Sequence, residues 1–356
     1  MKLIVQIPCF NEEGSLAEAV RDIPRQIDGI DKVEILIVDD GSSDDTIAVA
    51  KACGVDHIIR HTRNKGLART FQTALQAALA RGADIVVNTD GDNQYSGADI
   101  PKLVAPVVAG DADIVVGDRG GLDNPHFSAF KKRLQVLGSW GIRRVTGLDI
   151  TDAVSGFRAL SRSAARQINI VSDFSYTIEM LIQASAKRLA VKSVPIGTNA
   201  KTRESRLFKS IPQFLRMSGT TLVRMYTMYK PLRVFLVMGL IMLAVGVLPI
   251  VRFLYFYAIG DGQGHIQSLV LGGTLVVLGV VTLLIGLLAD LINFNRKLME
   301  MTLMRIGDVE AELGRLNASQ HRRLRLKRQR TLPRAKLEEE LAEITAPQRA
   351  RGGAQQ

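Results

Sequence analysis

The chain has 356 residues, a formal net charge of +11 and a sequence pI near 9.8, yet its mean hydropathy is positive at +0.12. A basic chain that is also hydrophobic points to a membrane surface, and aromatics at only 5%, mostly outside the basic runs, argue against a nucleic-acid binder with base-stacking platforms. Cys9 and Cys53 lack C-x-x-C spacing and read as buried thiols of a reducing compartment, and the start Met1-Lys2-Leu3-Ile4-Val5 shows no signal-peptide pattern.

Residues 3–10 read as an apolar strand closed by Asn11-Glu12-Glu13-Gly14, followed by a helix from Ser15 with Leu16, Ala19, Val20 and Ile23 at helical spacing. A second strand at 33–38 ends in Asp39-Asp40-Gly41-Ser42-Ser43-Asp44, and a helix runs on to Cys53. A short strand at 57–61, then Asn64-Lys65-Gly66 and an Ala-rich helix to about residue 80, lead to the central stretch Val86-Val87-Asn88-Thr89-Asp90-Gly91-Asp92-Asn93-Gln94. Read as a continuing strand, period two puts Asp90, Asp92 and Gln94 on one side. Three oxygen donors there suit a hard divalent cation, Mg²⁺ or Mn²⁺, that bridges phosphate oxygens; the other reading is a polar loop capping a buried strand. A helix at 99–108 and a strand at 112–116 ending in Gly117-Asp118-Arg119 complete the pattern.

Strands alternating with helices, and apolar enough to be buried on both faces, predict an α/β fold with a Rossmann-type, mostly parallel sheet. Ligands of such sheets bind beyond the carboxyl ends of the strands. Here those ends read Asn11-Glu12, Asp39-Asp40, Asp90-x-Asp92 and Asp118-Arg119, so four charged strand ends share one edge. Asp39 and Asp40 suit a ribose or base edge, although capping of the next helix is an alternative for this segment, with Ser42, Ser43 or Asp44 as the cap. Lys65 and Arg69 lie beside a helix start, where they meet phosphate or are simply solvated. Neither G-x-x-x-x-G-K-[ST] nor G-x-G-x-x-G is present, and the five histidines are scattered.

From about 126 to 230 the pattern changes. Phe127, Phe130, Leu134, Leu137 and Ile142 alternate with Lys131, Lys132, Arg133, Arg143 and Arg144, and a second basic apolar stretch runs from 207 to 230. These predict amphipathic helices in the headgroup plane, or else core helices with solvated basic faces. Residues 234–251 and 266–289 carry no charge, and each is long enough to cross a ~30 Å hydrocarbon core. They predict a transmembrane hairpin, about 234–257 and 266–290, with Phe253, Tyr255, Phe256 and Tyr257 in the far aromatic belt. Lys230 and Arg233 before it and Arg296 and Lys297 after it place both termini and the α/β domain on the cytoplasmic side of the inner membrane. Met299, Thr302, Ile306, Val309, Leu313 and Leu316 form a short seam that pairs protomers or docks on its own chain. The run Arg322–Arg330 is strongly basic and suits anionic lipid.

Ile7-Pro8-Cys9-Phe10-Asn11-Glu12, Asp39-Asp40-Gly41-Ser42-Ser43-Asp44 and Asp90-Gly91-Asp92-Asn93-Gln94, in that order, give a chain that resembles a family-2 glycosyltransferase. Asp152-x-x-Ser155-Gly156-Phe157-Arg158, Phe174-x-x-x-x-Glu179-Met180-Leu181 and Val194-Pro195-Ile196 look like the dolichol-phosphate-mannose-synthase branch. That branch includes bacterial polyprenyl-phosphate glycosyltransferases with two carboxy-terminal spans. The resemblance covers about residues 1–230 by motif and extends to the hairpin by architecture; with the pattern read above, the chain is expected to divide into a GT-A domain over 1–206, interfacial helices over 207–230, the hairpin within 231–292, a helical basic tail over 293–345 and a disordered end, 346–356. The resemblance implies inverting, metal-dependent transfer of a hexose from a UDP- or GDP-linked donor to a polyprenyl phosphate. Pro8, Asn11, Glu12, Asp39, Asp40, Lys65 and Asp90 would then contact the donor, and Asp90, Asp92 and Gln94 the metal. Arg119, Lys132 and Arg133 would grip the acceptor phosphate, with Asp90, Asp92 and Arg119 as the catalytic set.

Two departures stand out. After Val194-Pro195-Ile196 the branch commonly shows Arg-x-x-Gly-x-Ser-Lys, whereas this chain has Ala200 and Arg203 at the arginine and glycine positions, leaving Arg203, Arg206 and Lys209 as candidate phosphate ligands. Asp-Gly-Asp replaces the more usual Asp-Ala-Asp, a change expected to loosen the loop. A processive polysaccharide synthase would carry Gln-x-x-Arg-Trp, but the one tryptophan, Trp140, lies in Gly138-Ser139-Trp140-Gly141. A membrane-tethered nucleotide-binding scaffold is the rival outside catalysis. The spans and the C-terminal helix are the surfaces for any homo-oligomer.

Overall fold

The computed structural model describes residues 1–120, 129–171, 176–199, 219–220, 223–224, 226–260 and 262–331. The chain divides into two compact units, Met1–Phe294 and Asn295–Gln356.

In the first unit a seven-stranded sheet has the order β3-β2-β1-β4-β6-β5-β7. The strands are β1 (Lys2–Cys9), β2 (Lys32–Asp39), β3 (His57–Arg60), β4 (Ile85–Asn88), β5 (Ile114–Asp118), β6 (Arg158–Ser161) and β7 (Val191–Pro195). β1 and β2 pair in parallel over eight residues, from Lys2 with Lys32 to Cys9 with Asp39. Their side chains alternate between two cores. Leu3, Val5 and Ile7 face a layer with α1 (Leu16–Arg21), α2 (Thr46–Ala52) and α4 (Ile100–Val108), while Ile4 faces α3 (Leu67–Ala80), α6 (Arg162–Gln167) and α7 (Tyr176–Ala186). Strand order reverses between β1 and β4, so the carboxyl ends of these strands open the crevice where α/β sheets bind ligands. Pro8 sits past the last β1–β4 pair, Gln6 with Asn88, where its missing N–H leaves no ladder bond unmade.

One sequence expectation is corrected. The central strand stops at Asn88, and residues 89–94 form a turn with Asn93 in the left-handed region (φ 55°), so strand alternation does not group Asp90, Asp92 and Gln94. Between the two basic stretches the chain contributes β6, antiparallel between β4 and β5, and this strand begins with a fully buried arginine. The basic helix expected near 127–144 is α5 (Ala129–Thr146). Its C-terminal half docks on the core through Ile142, while Trp140 points outward, 57% exposed. Most of 207–225 lies outside the described residues, as does everything after Thr331, including the 346–356 end.

Helix α8 (Pro231–Ala258) and the start of α9 (Ile266–Thr331) are apolar and largely exposed, with mean hydropathies of 2.8 and 2.7 over the most apolar 18-residue stretches within Pro231–Ala258 and Gln263–Thr302. Core helices of a soluble domain would be buried; these two have the length and surface of membrane spans. They meet through glycines seven residues apart. A methyl on Gly239 would lie 3.0 Å from Gly279 O, and one on Gly246 3.0 Å from Gly272 O. Lipid tails are as apolar as leucine, so close backbone approach through small residues is what holds such a pair together. Phe253 stacks on Tyr257 and Phe256 on His265 at the connecting end, with Arg252 over Phe256. In the second unit α9 runs on to Thr331 and exposes Met299, Ile306, Val309 and Leu313.

Candidate active site

The ends of β1 and β2 are laced into one wall. Asn11 adopts φ 56°, a conformation asparagine tolerates, and its Oδ1 accepts from Ser43 N at 2.9 Å while its own N–H donates to Ser42 Oγ at 2.8 Å. Glu12 N donates to Thr46 Oγ1 at 2.8 Å. Asp44 accepts from Thr46 N at 3.1 Å, so among the three expected caps it is Asp44 that serves the start of α2. Asp39 is fully buried, accepts from Ser42 N at 3.2 Å and lies 3.4 Å from Arg60 Nε. Asp40 is buried as well, and its carboxylate accepts from His61 Nδ1 (2.8 Å), Lys65 N (2.9 Å) and Gly66 N (2.8 Å). Asp40 therefore shapes the loop that carries Lys65; Lys65 itself is exposed.

The Asp90–Gln94 turn is held from two sides. Ser15 Oγ donates to Gly91 O at 2.8 Å, and Asn199 reaches across with N to Gln94 O and Nδ2 to Asn93 O, both 3.0 Å. Asp92 Oδ1 accepts from Gln94 N at 3.2 Å. Beneath the turn, Gln6 Nε2 donates to Asn88 Oδ1 (3.0 Å), and Asn88 Nδ2 donates to Gly156 O and Tyr176 Oη (2.9 Å each). A methyl on Gly156 would meet Tyr176 Oη at 2.8 Å and Asp90 Oδ2 at 3.2 Å, so only glycine lets the 152–157 loop pass under Asp90.

Arg119 follows β5 and forms a two-pronged pair with fully buried Asp152, Nε–Oδ2 2.6 Å and Nη2–Oδ1 2.9 Å. Its guanidinium also lies 6.0 Å from the Tyr95 ring centre. Burial works against the Arg119 charge, while the paired Asp152 carboxylate supports it, and the net shift of the pKa is upward. Burial likewise pushes the Tyr95 phenol up to about 12, so it stays protonated, and its oxygen accepts from Gly156 N at 2.9 Å. Arg158, fully buried, donates to Ser155 O (2.8 Å), Thr177 O (2.8 Å) and Ala153 O (2.9 Å), cinching the loop that presents Asp152 and Gly156. Desolvation lowers its pKa to about 10. Sequence reasoning overlooked Tyr95, His61 and Asn199, and met Asp152 and Arg158 only inside a family motif. The adjacency of Tyr95 to Gln94 was the one available signal.

The structure thus gathers Asn11, Glu12, Asp39, Asp40, Asp90, Asp92 and Arg119 at one sheet edge. The field there is negative: burial first, then Glu12, Asp39, Asp90 and Asp44, push the Cys9 thiol well above its ordinary value. Among the described residues no three His, Cys, Asp or Glu side chains converge as a self-sufficient metal cage. Two carboxylates and an amide are nevertheless the donor types that a hard cation takes when most of its ligands are water or phosphate oxygens. Lys132 and Arg133 lie on α5 with side chains outside the described residues, as are Arg203, Arg206 and Lys209 altogether.

The glycosyl transferase family 2 profile matches residues 4–168. An uncharacterized protein of Methanocaldococcus jannaschii is 32% identical over 230 residues, covering 60% of this chain and 92% of that one. The UDP-N-acetylglucosamine–dolichyl-phosphate N-acetylglucosaminyltransferase of Methanococcus voltae is 29% identical over 215 residues, 54% of this chain and 83% of that one. Among solved structures, Mycobacterium tuberculosis glucosyl-3-phosphoglycerate synthase with Mn²⁺, UDP-glucose and phosphoglyceric acid shares the fold, with a TM-score of 0.50 at 22% identity, covering 64% of this chain and 79% of that one. The acidic sheet edge therefore lies in a GT-A fold, and the chain belongs to glycosyl transferase family 2 and is a glycosyltransferase.

Proposed function

We propose that the enzyme transfers a hexose, with inversion, from a UDP- or GDP-linked donor to the phosphate of a polyprenyl lipid at the cytoplasmic face of the inner membrane. One observation carries this reading: an acidic turn lies beside an arginine–carboxylate pair at one sheet edge, in a chain whose α8 and the start of α9 have the length and apolar surface of membrane spans. The M. voltae relative, named for a nucleotide-sugar donor and a dolichyl-phosphate acceptor, supports it.

In this reading Asp39 holds the nucleoside, with Pro8, Asn11 and Glu12 forming the wall around it. Asp40 acts through Lys65 and Gly66, whose N–H groups it fixes. Asp90, Asp92 and Gln94 hold Mg²⁺ or Mn²⁺, which neutralises the departing diphosphate when bound. Arg119, aimed by Asp152, and Lys132 and Arg133 position the acceptor phosphate, with Arg203, Arg206 and Lys209 as further cations. A lipid phosphate is already anionic, so it needs positioning more than a general base. Lys230, Arg233, Arg296 and Lys297 flank the hairpin and fit a cytoplasmic catalytic domain beside anionic lipid.

The test uses detergent-solubilised full-length protein, polyprenyl phosphate, Mn²⁺ or Mg²⁺ and a panel of nucleotide-sugars. A lipid-linked monosaccharide is expected with one donor; polymer formation would favour a processive synthase, and metal-dependent nucleotide binding without turnover a scaffold. Replacing Lys132 and Arg133 with Ala should raise the KM for lipid more than that for donor, and the opposite split would reassign α5.

A further inference from the structure

We propose that residues 299–316 of α9 pair with a second copy of this chain as a parallel coiled coil. Within the unit Asn295–Gln356, Met299, Thr302, Ile306, Val309, Leu313 and Leu316 follow an alternating three–four spacing on an unbroken helix. That is the a/d repeat of a left-handed coiled coil. Met299, Ile306, Val309 and Leu313 are 67%, 50%, 56% and 54% exposed, so the described residues leave these four positions uncovered.

Charge and direction select the occupant. In this register Arg305 is a g position and Glu310, five residues on, is the e position of the next heptad. A parallel pair sets g of one helix against that e of the other, giving two Arg305–Glu310 contacts between the copies; an antiparallel pair sets g against g and e against e. Lipid is a poor cover, because Asp308, Glu310, Glu312 and Arg315 interrupt the same stretch. Direction rests on the proposed membrane reading: copies inserted alike carry this seam the same number of residues after the same span and on the same face of the bilayer, which favours pairing in the same sense. The seam spans only about 27 Å, from 18 residues at 1.5 Å each, so membrane confinement supplies the local concentration that a free peptide of this length lacks.

Cysteine crosslinking of the full chain in its native membranes tests this without reading catalysis. In a Cys53→Ser background, with Cys9 buried, Ile306→Cys and Val309→Cys should form disulfide-linked dimers under mild oxidation. Met301→Cys, exposed at a c position, should form several-fold fewer. Arg305→Glu should cut the Ile306→Cys dimer several-fold, and adding Glu310→Arg should restore it. Equal crosslinking at all three positions, none at any, linkage to a different protein, or no rescue by the charge swap would each overturn the proposal. Release of the protein by alkaline extraction would overturn it separately, by removing the membrane reading that fixes the parallel sense.

Discussion

The sheet carries buried or half-buried carboxylates at both ends, and the chain treats them in opposite ways. Near the amino-terminal edge, Glu34 is 4% exposed and bonded by Lys2 (2.8 Å), Lys32 (2.7 Å) and His57 (2.8 Å). Burial opposes its ionisation, but Lys2, Lys32 and His57 more than reverse this and hold its pKa at about 2. At the carboxyl edge Glu12, Asp39, Asp44 and Asp90 surround Cys9, and together with burial they raise its pKa. Identical chemistry serves stability where the sequence brings its own cations and, in the proposed reading, prepares a site for an incoming cation where carboxylates accumulate.

The largest expected effect lies at the carboxyl edge. Asp92→Ala should lower kcat by about a thousandfold or more, the scale of losing metal-centred charge stabilisation. It should also abolish Mn²⁺ binding measured by calorimetry, while leaving stability within about 0.5 kcal/mol, as for a substitution outside the core. Turnover unchanged in this variant would sink the metal assignment. Asp152→Asn joins the two kinds of carboxylate. It is buried and paired like Glu34, yet it aims a site residue, so it should cost about 3 kcal/mol through the buried Arg119 charge left behind and also raise the KM for lipid phosphate. Loss of stability with no change in lipid KM would make the pair purely structural.

Glu34→Gln is the mirror experiment. It should cost roughly 1–2 kcal/mol, since three partially exposed donors lose a charged acceptor, and leave kcat and both KM values unchanged. The pH sign follows from the depressed pKa. Glu34 stabilises the native chain fully above its ordinary value of 4.5, and that contribution is lost as pH falls through about 2. Denaturation curves of wild type and variant should therefore differ at pH 6 and converge as pH falls towards 2; a constant offset would place the effect in packing rather than charge.

Which parts were legible follows from where each signal resides. Apolar runs and their acidic ends are local, so β1 to β5 and the shared edge could be read directly. Where pairing stops is not local: β4 ends because its partner β6 departs after Asn88 with Arg158, and nothing in Asn88-Thr89-Asp90 announces it. β6 itself was hidden because it opens with Arg158, a residue that composition assigns to the surface and that the carbonyls of Ala153, Ser155 and Thr177 make tolerable inside. The role of Asp40 was equally hidden, because its donors at His61, Lys65 and Gly66 come from a different loop. Asn199 was invisible for the same reason: it bonds a turn more than a hundred residues earlier.

Gly91 is the smallest test and bears on how the carboxyl edge is packed. Its lack of a side chain was expected to loosen the Asp90–Gln94 turn, yet a methyl there would sit 3.2 Å from Cys9 Sγ and 3.3 Å from Glu12 Cγ, in a space already occupied. Its φ lies outside the left-handed region, so alanine meets crowding rather than backbone strain. Fewer unfolded conformations favour Gly91→Ala by about 0.4–1 kcal/mol, and the displacement of Cys9 and Glu12 opposes this by a similar amount. The single variant should therefore change stability by less than about 1 kcal/mol. In a Cys9→Ala background the sulfur is gone, and the same substitution should become more favourable by at least about 0.5 kcal/mol, a coupling that a double-mutant cycle measures. Absence of coupling, with weaker Mn²⁺ binding in Gly91→Ala alone, would mean that the glycine serves mobility of the turn and that the close packing on Cys9 is incidental.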